Sequence, residues 1–287
     1  MENSIFDKKS RLSDKVLSFL IQLSTLISVG LLIVIIGYIL IRGIPSFNFG
    51  YLVNTTSVLK DTVGILPNII NTVYMIVMTL LIAGPISIGG AIYLNEYATN
   101  KKFVEIISFT TEVLAGIPSI IYGLFGMLFF GNLLKLGYSI LTGALTLAIM
   151  ILPIISRNTQ VALQAVPKSY REAALGIGAT KWYMIRTVLL PSAIPGILTG
   201  IILAMGRIVA ESAALLFTAG SLATLPRGLF EHLFSSGGTL TIQLYLEMAK
   251  ANYDVAFVIA LILIVVVLVL NFLAKWISKR FDVNKID

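Results

Sequence analysis

Six stretches of this chain run for about 20 residues or more without a single Asp, Glu, Lys or Arg. A helix rises about 1.5 Å per residue and the hydrocarbon core of a bilayer is about 30 Å thick, so each stretch is long enough to cross. Lipid offers no water to the backbone, so only helices and closed barrels span it. Barrel strands alternate apolar and polar residues in short segments. These stretches are apolar throughout, which points to helices. Composition agrees: 57% of residues are hydrophobic and 12% are charged, against about 25% charged in a soluble domain. A soluble globular enzyme and a disordered chain are both excluded. With no Cys and one His, His232, the chain has neither a disulfide framework nor a His/Cys zinc set.

The apolar pattern predicts helices over about residues 16–40, 68–94, 113–134, 136–156, 187–220 and 255–274, the fifth interrupted by Arg207 and Glu211. The first is too long for a cleaved signal and lacks a small-residue cleavage site, so it reads as an uncleaved anchor at the periphery. An even number of spans puts both termini on one side. Fifteen Lys and Arg fall on that side, five on the other, and Arg207 falls within a span. The excess marks the cytoplasmic face of a cell membrane. The expected organisation is a cytoplasmic segment over 1–15, a first helix over 16–40, a transmembrane domain over 62–277 with a cytoplasmic loop at 157–190, and a cytoplasmic tail over 278–287. The basic residues flank apolar runs instead of forming a patch, which argues against nucleic acid as a partner.

The 157–190 loop carries helix punctuation. Ser169-x-x-Glu172 has the spacing of a capping box. Gly176 and Gly178 end a short helix. Thr180 can cap a second helix, and Pro191 would begin the next span. An isolated helix this short is marginal in water. Ala173 and Ala174 offer little side chain, which suits either docking into the groove of another protein or folding back onto the bundle.

The same segment resembles the EAA signature of bacterial ABC importer permeases, carried here by Glu172, Ala173, Ala174, Gly178, Val188, Leu190 and Pro191. The stretches GAIYLNEYA, AGIPSIIYGLFG, LTGALTLAIMILPIISRNT and PGILTGIILAMGRIVAESAALLFTAG resemble the phosphate permeases of the PstA type. The resemblance covers the chain from about residue 63. Ala210-Glu211-Ser212 stands where that family often has Gly-Glu-Thr. The resemblance implies an all-α membrane protein of six transmembrane helices with the type I, MetI-like importer fold. It implies a loop that couples to a separate ATP-binding subunit dimer, a second permease subunit and an external phosphate-binding protein. ATP and magnesium would be used by the ATPase, with no cofactor on this chain. The membrane would be the cytoplasmic membrane of a bacterium or archaeon.

Arg207 and Glu211 are the ionisable residues well inside a span. An Arg at the bilayer centre costs about 2.5–3.5 kcal/mol, so it faces the bundle or a water-filled path. A spacing of four puts the pair on one helical face. Arg207, with Glu211 and Ser212, can line the route of an anion, since guanidinium donors match phosphate oxygens in pairs; alternatively, the pair fixes helix register. In the phosphate permeases an Arg at the position of Arg207 is associated with transport.

Weaker signals complete the reading. Gly196 and Gly200 form a GxxxG suited to close helix approach. Pro85 and Pro118 are expected to bend spans two and three. Glu105 and Glu112 are expected at the membrane interface. His232 is expected to be solvated in an external loop over 221–253. No G-x-x-x-x-G-K-[ST] phosphate loop and no H-E-x-x-H occurs, so the chain itself is not expected to be an enzyme. A permease for sulfate or molybdate, and a self-contained channel or secondary transporter, remain the alternatives.

Overall fold

Among the described residues, five helices are long and apolar enough to cross a membrane, and a pair bent by 100° makes a sixth span if counted as one. The computed structural model describes residues 12–57, 62–226 and 228–280. Lys8, Lys9, Arg11, Lys60, Arg227, Lys285 and most of the expected 278–287 tail lie outside the described residues.

Helix α1, Leu12–Gly43, is followed by a short α2, Gly50–Val53, and a small antiparallel hairpin of β1, Thr55–Ser57, and β2, Thr62–Ile65. Helix α3, Leu66–Ile92, starts with Pro67 in its first turn, where a missing N–H costs nothing. It ends in a π-turn, Tyr93–Tyr97. Pro85 sits inside α3 without breaking it. Helix α4, Lys101–Gly116, is capped by Asn100, whose side chain accepts the Phe103 N–H at 3.3 Å.

The expected third span is broken. Pro118 forces Ile117 into extended backbone (ψ 130°), so α4 stops and α5, Ser119–Gly126, leaves at the 100° angle. α5 continues as a π-helical segment, Met127–Leu133. Ser139 caps α6, Ile140–Ala165. Then come α7, Lys168–Gly176; α8, Lys181–Met184; a π-turn, Ile185–Leu189; and α9, Leu190–Ala210. A short α10, Ala213–Thr218, a 3-10 turn at Glu231–Phe234, α11, Leu240–Ala249, and α12, Tyr253–Arg280, complete the chain.

Helices α3, α6 and α9 form the centre. Met75, Ile76, Leu147, Ile151, Ile155, Ala204 and Ile208 are buried between them. Gly196 and Gly200 of α9 face Ala162 and Asn158 of α6; a Cβ at Gly200 would lie 2.7 Å from Asn158 Cβ. The GxxxG therefore makes a close helix contact. Helix α1 lies outside, as expected, and meets α12 through Tyr38 on Phe257 and through Gly43 against the Phe257 backbone.

Part of the external segment expected over 221–253 packs into the bundle: His232, Gly238 and Leu240 meet α3, while Leu222, Leu229 and Phe230 stay exposed. Asn68 and Asn71 of α3 both donate to the Gly238 carbonyl, at 2.9 and 3.2 Å. Thr72 Oγ1 accepts the Leu240 N–H at 3.0 Å. His232 is buried, with Nε2 2.7 Å from Asn71 Oδ1 and its ring edge-on to Tyr74. A solvated His232 is thus corrected: beside the nearby Ser235 hydroxyl, it meets Asn71 and Tyr74, about 160 positions away in sequence and beyond the reach of local pattern. Burial also pulls its pKa below the ordinary 6.5.

Gly200→Ala is expected to lower the thermal midpoint in detergent, by overpacking worth about 1–3 kcal/mol, while Gly89→Ala, where a Cβ meets open space, leaves it unchanged. For His232 the unfolded chain binds the proton more readily than the folded one. The stability given by the neutral ring is therefore full above about pH 6.5 and is lost as pH falls through the lower folded value. Thermal midpoints between pH 5 and 8 for the native chain and His232→Gln check this: the native chain is expected to lose more stability in acid.

Candidate functional site

The 157–190 loop forms an elbow of two helices. Pro167, with φ −54° and ψ 140°, takes the N-cap position of α7, and no side chain caps the helix. The expected capping box between Ser169 and Glu172 is therefore absent: proline, pre-set for a helix start, opens α7 before Ser169 can act as the cap. The C-terminus follows expectation. Gly178 adopts φ +86° and donates to the Leu175 carbonyl at 3.0 Å, while Ala179 donates to Ala174 at 3.1 Å. Thr180 Oγ1 accepts the Tyr183 N–H at 3.3 Å and caps α8.

Pro191 does not begin a separate span. α8 runs through the Ile185–Leu189 π-turn into α9, so that Lys181–Ala210 is one continuous rod. Proline has no N–H for the carbonyl of Thr187, and the widened turn just before it absorbs the mismatch. Ser192 Oγ donates to the Val188 carbonyl at 2.7 Å. Leu190 and Pro191 are half-buried at the start of α9.

The two alanines part company. Ala174 is buried at 8% exposure among Leu163, Val166, Met184, Ile185 and Leu189. Ala173 and Glu172 are exposed, beside Leu175 and Ile177, the latter 86% exposed. The elbow thus folds back onto the bundle through one face and leaves an apolar face open. Sequence reasoning missed its neighbours Glu96 and Arg171. Their side chains meet at 3.1 Å and line one open cavity with Asn95, Gln164, Lys168 and Glu172.

The second region is the end of α9. The helix stops at Ala210, and Glu211 is extended (φ −80°, ψ 126°). Arg207 and Glu211 therefore do not share a helical face as expected; they straddle a break. Glu211 secures it. Its Oε1 accepts the Ala214 N–H at 3.1 Å at the head of α10, and its carbonyl accepts from Thr241 Oγ1 at 2.8 Å. Irregular backbone at membrane depth is tolerable only when such partners are supplied.

Arg207 is held more loosely. Its Nη2 lies 3.5 Å from Glu211 Oε2 and 3.9 Å from Met150 Sδ, longer than the roughly 2.7–2.9 Å of a strong charged hydrogen bond. Its side chain is 46% exposed while that of Glu211 is 5% exposed. Met150 is near the middle of α6, so the guanidinium lies beside the middle of that helix although it is close to the end of its own. Ser212 instead lines a separate cavity of about 220 Å³ with Ile120, Ala213, Leu216, Phe217, Ile242 and Tyr245. Glu112 and Arg157 face a further cavity of about 240 Å³ between α4 and α6. Among the described residues no group of three or more His, Asp or Glu is placed to hold a metal ion.

Residues 87–283 match the family described as binding-protein-dependent transport system inner membrane component. The chain is 36% identical, over 93% of its own length and 96% of the relative, to a probable ABC transporter permease protein, YqgI, of Bacillus subtilis. It is 36% identical over 83% and 80% of the two chains to the phosphate transport system permease protein PstA 2 of Mycobacterium bovis. It is 38% identical over 62% and 63% to the phosphate transport system permease protein PstA of Pasteurella multocida. Among solved structures, a bacterial ABC transporter that imports the acidic polysaccharide alginate aligns at TM-score 0.66 and 19% identity, covering 95% of this chain and 99% of that one. The MetNI methionine ABC transporter in an inward-facing conformation aligns at 0.57 and 20%, covering 76% and 94%. These two likenesses give the fold, which is the MetI-like one.

The split between the two alanines is testable on the isolated chain. Ala174→Arg drives a charge into the apolar cluster and is expected to expose the elbow to limited proteolysis, with about 1–3 kcal/mol or more of local stability lost. Ala173→Arg, on the open face, is expected to leave the proteolysis pattern unchanged.

Proposed function

We propose that this chain, which belongs to the family of binding-protein-dependent transport system inner membrane components, is the permease subunit of an ABC importer whose cargo is inorganic phosphate. Membership makes it a transmembrane permease subunit and not an enzyme, with ATP hydrolysis in a separate subunit. In the proposed assembly both termini and the elbow lie in the cytoplasm. The open face of Glu172, Ala173, Leu175 and Ile177 docks on an ATP-binding subunit dimer, which uses the ATP and magnesium. A second permease subunit completes the path, and an external phosphate-binding protein delivers the cargo. This chain binds no cofactor.

The observation that carries the cargo assignment is Arg207. A loosely paired guanidinium beside the middle of α6 retains donors for an oxyanion, and a weak hold suits a protein that must release what it takes. Glu211 lies against it as an acid anchored by the α10 backbone, in place to receive Arg207 when the anion leaves. The names of the Mycobacterium bovis and Pasteurella multocida relatives support phosphate. Guanidinium chemistry by itself would also accept sulfate or molybdate.

Arg207→Gln is expected to leave the subunits assembled and to cut phosphate uptake about 10- to 100-fold, the loss of one or two charged hydrogen bonds. Uptake of labelled phosphate into vesicles, with assembly checked by co-purification, measures this; undiminished uptake would exclude Arg207 from the path. Excess sulfate or molybdate is expected not to compete, and competition by either would reassign the cargo.

A further inference from the structure

Both helices of the elbow grip the same five residues. The π-turn Tyr93–Tyr97, at the end of α3, receives Arg171 from α7 and Lys181 from α8. Arg171 Nη2 and Nε lie 3.1 and 3.4 Å from Glu96 Oε1. Lys181 Nζ lies 4.9 Å from the centre of the Tyr97 ring. Asn95 Nδ2 donates to the same Glu96 oxygen at 2.7 Å, so the carboxylate is aimed from its own turn.

Arg171 holds a third element as well. Its Nη2 donates to the Leu163 carbonyl at 2.7 Å and its Nη1 to Val166 at 2.8 Å. Leu163 is in the last turn of α6 and Val166 caps it, and a helix leaves its final carbonyls unpaired and partially negative. One planar, rigid guanidinium fork thus closes α6, carries α7 and binds the end of α3. A lysine has one donor centre and does not span three acceptors in fixed geometry. The pair is sheltered, with side-chain exposures of 20% for Arg171 and 7% for Glu96.

The covalent routes out of α7 explain why this matters. The chain joins α7 to α6 through the extended Val166 and Pro167, and to α8 through the Gly178 turn. Span two lies 75 residues back along the chain. It touches the elbow's apolar cluster through Ile88 and Ile92; apolar contacts of that kind slide, whereas charge-assisted hydrogen bonds are directional.

We propose that Arg171 and Glu96 form the joint that passes displacement of α7 into span two. The proposal rests on the permease reading and deepens it: α7 is where force enters, and this ion pair is where it leaves the elbow for the transport path. Neither residue touches cargo. Their role is to keep α3, α6 and α7 moving as one body.

The test uses the full complex in proteoliposomes, with the ATP-binding subunit and the binding protein present and phosphate as the probe. Arg171→Gln and Glu96→Gln are expected to retain the ATP-binding subunit and to hydrolyse ATP, yet to move about tenfold less phosphate per ATP. Arg171→Lys is expected to fall between these and the native complex. The ratio of phosphate to ATP is the decisive readout, because a merely weakened fold lowers both together. Should Arg171→Gln fail to assemble, Glu96→Gln decides the matter, since it leaves both carbonyl contacts of Arg171 in place. A native ratio in both neutral variants overturns the joint. A native complex that retains no ATP-binding subunit overturns the transporter reading instead.

Discussion

Every backbone N–H and C=O at membrane depth must find a partner inside the protein, because lipid supplies none. The rest of this structure depends on that constraint, since the chain repeatedly stops or widens its helices within or beside its spans, at Tyr93–Tyr97 and Met127–Leu133 among other places. Pro118 breaks span three into α4 and α5. Glu211 ends α9 and reopens the chain as α10. The π-turn at Ile185–Leu189 accommodates Pro191 without a break. At Glu211 the missing bonds are made good by a carboxylate on Ala214 and a hydroxyl from Thr241. That repair keeps the acid fixed and leaves Arg207, four residues earlier, comparatively free.

The two ion pairs on which the proposed transport reading rests differ as their proposed tasks would require. Arg171 and Glu96 meet at 3.1 Å with several further bonds on the same groups, and both are largely withdrawn from solvent. Arg207 and Glu211 meet at 3.5 Å with the arginine half-open. The proposed joint is over-determined; the proposed anion-binding group is not. Breaking a well-sheltered pair leaves an uncompensated charge, so the tight pair resists separation more than the loose one.

Much of the fold was legible in the sequence. Charge-free runs located five spans but not the break at Pro118 in the third, and the helix-ending glycine at 178 and the cap at Thr180 were read correctly because both act within a few residues. The capping box was misread because Ser169 and Pro167 compete for one helix start, and spacing alone does not rank them. His232 was misplaced, and Glu96 overlooked, for a different reason. Their partners, Asn71 and Arg171, are distant in sequence, and nothing local marks a polar residue as paired. The Ala-Ala pair shows the limit at its narrowest: adjacent residues of one type, with opposite fates set by which faces the apolar cluster.

The amino-acid sequence by itself determined that this chain lives in a membrane as a set of helices, that an Arg and a Glu fall inside the fifth run, and that a signature loop joins the fourth run to the fifth. Hydrophobic length, charge position and short-range caps are all encoded along the chain, so they can be read from it. Only the tertiary structure decided that the fifth helix breaks at Glu211, that His232 and Gly238 pack against α3, and that Arg171 ties the elbow to span two. Those outcomes depend on which distant groups meet when three helices close on one another, and distance along the chain carries no record of that.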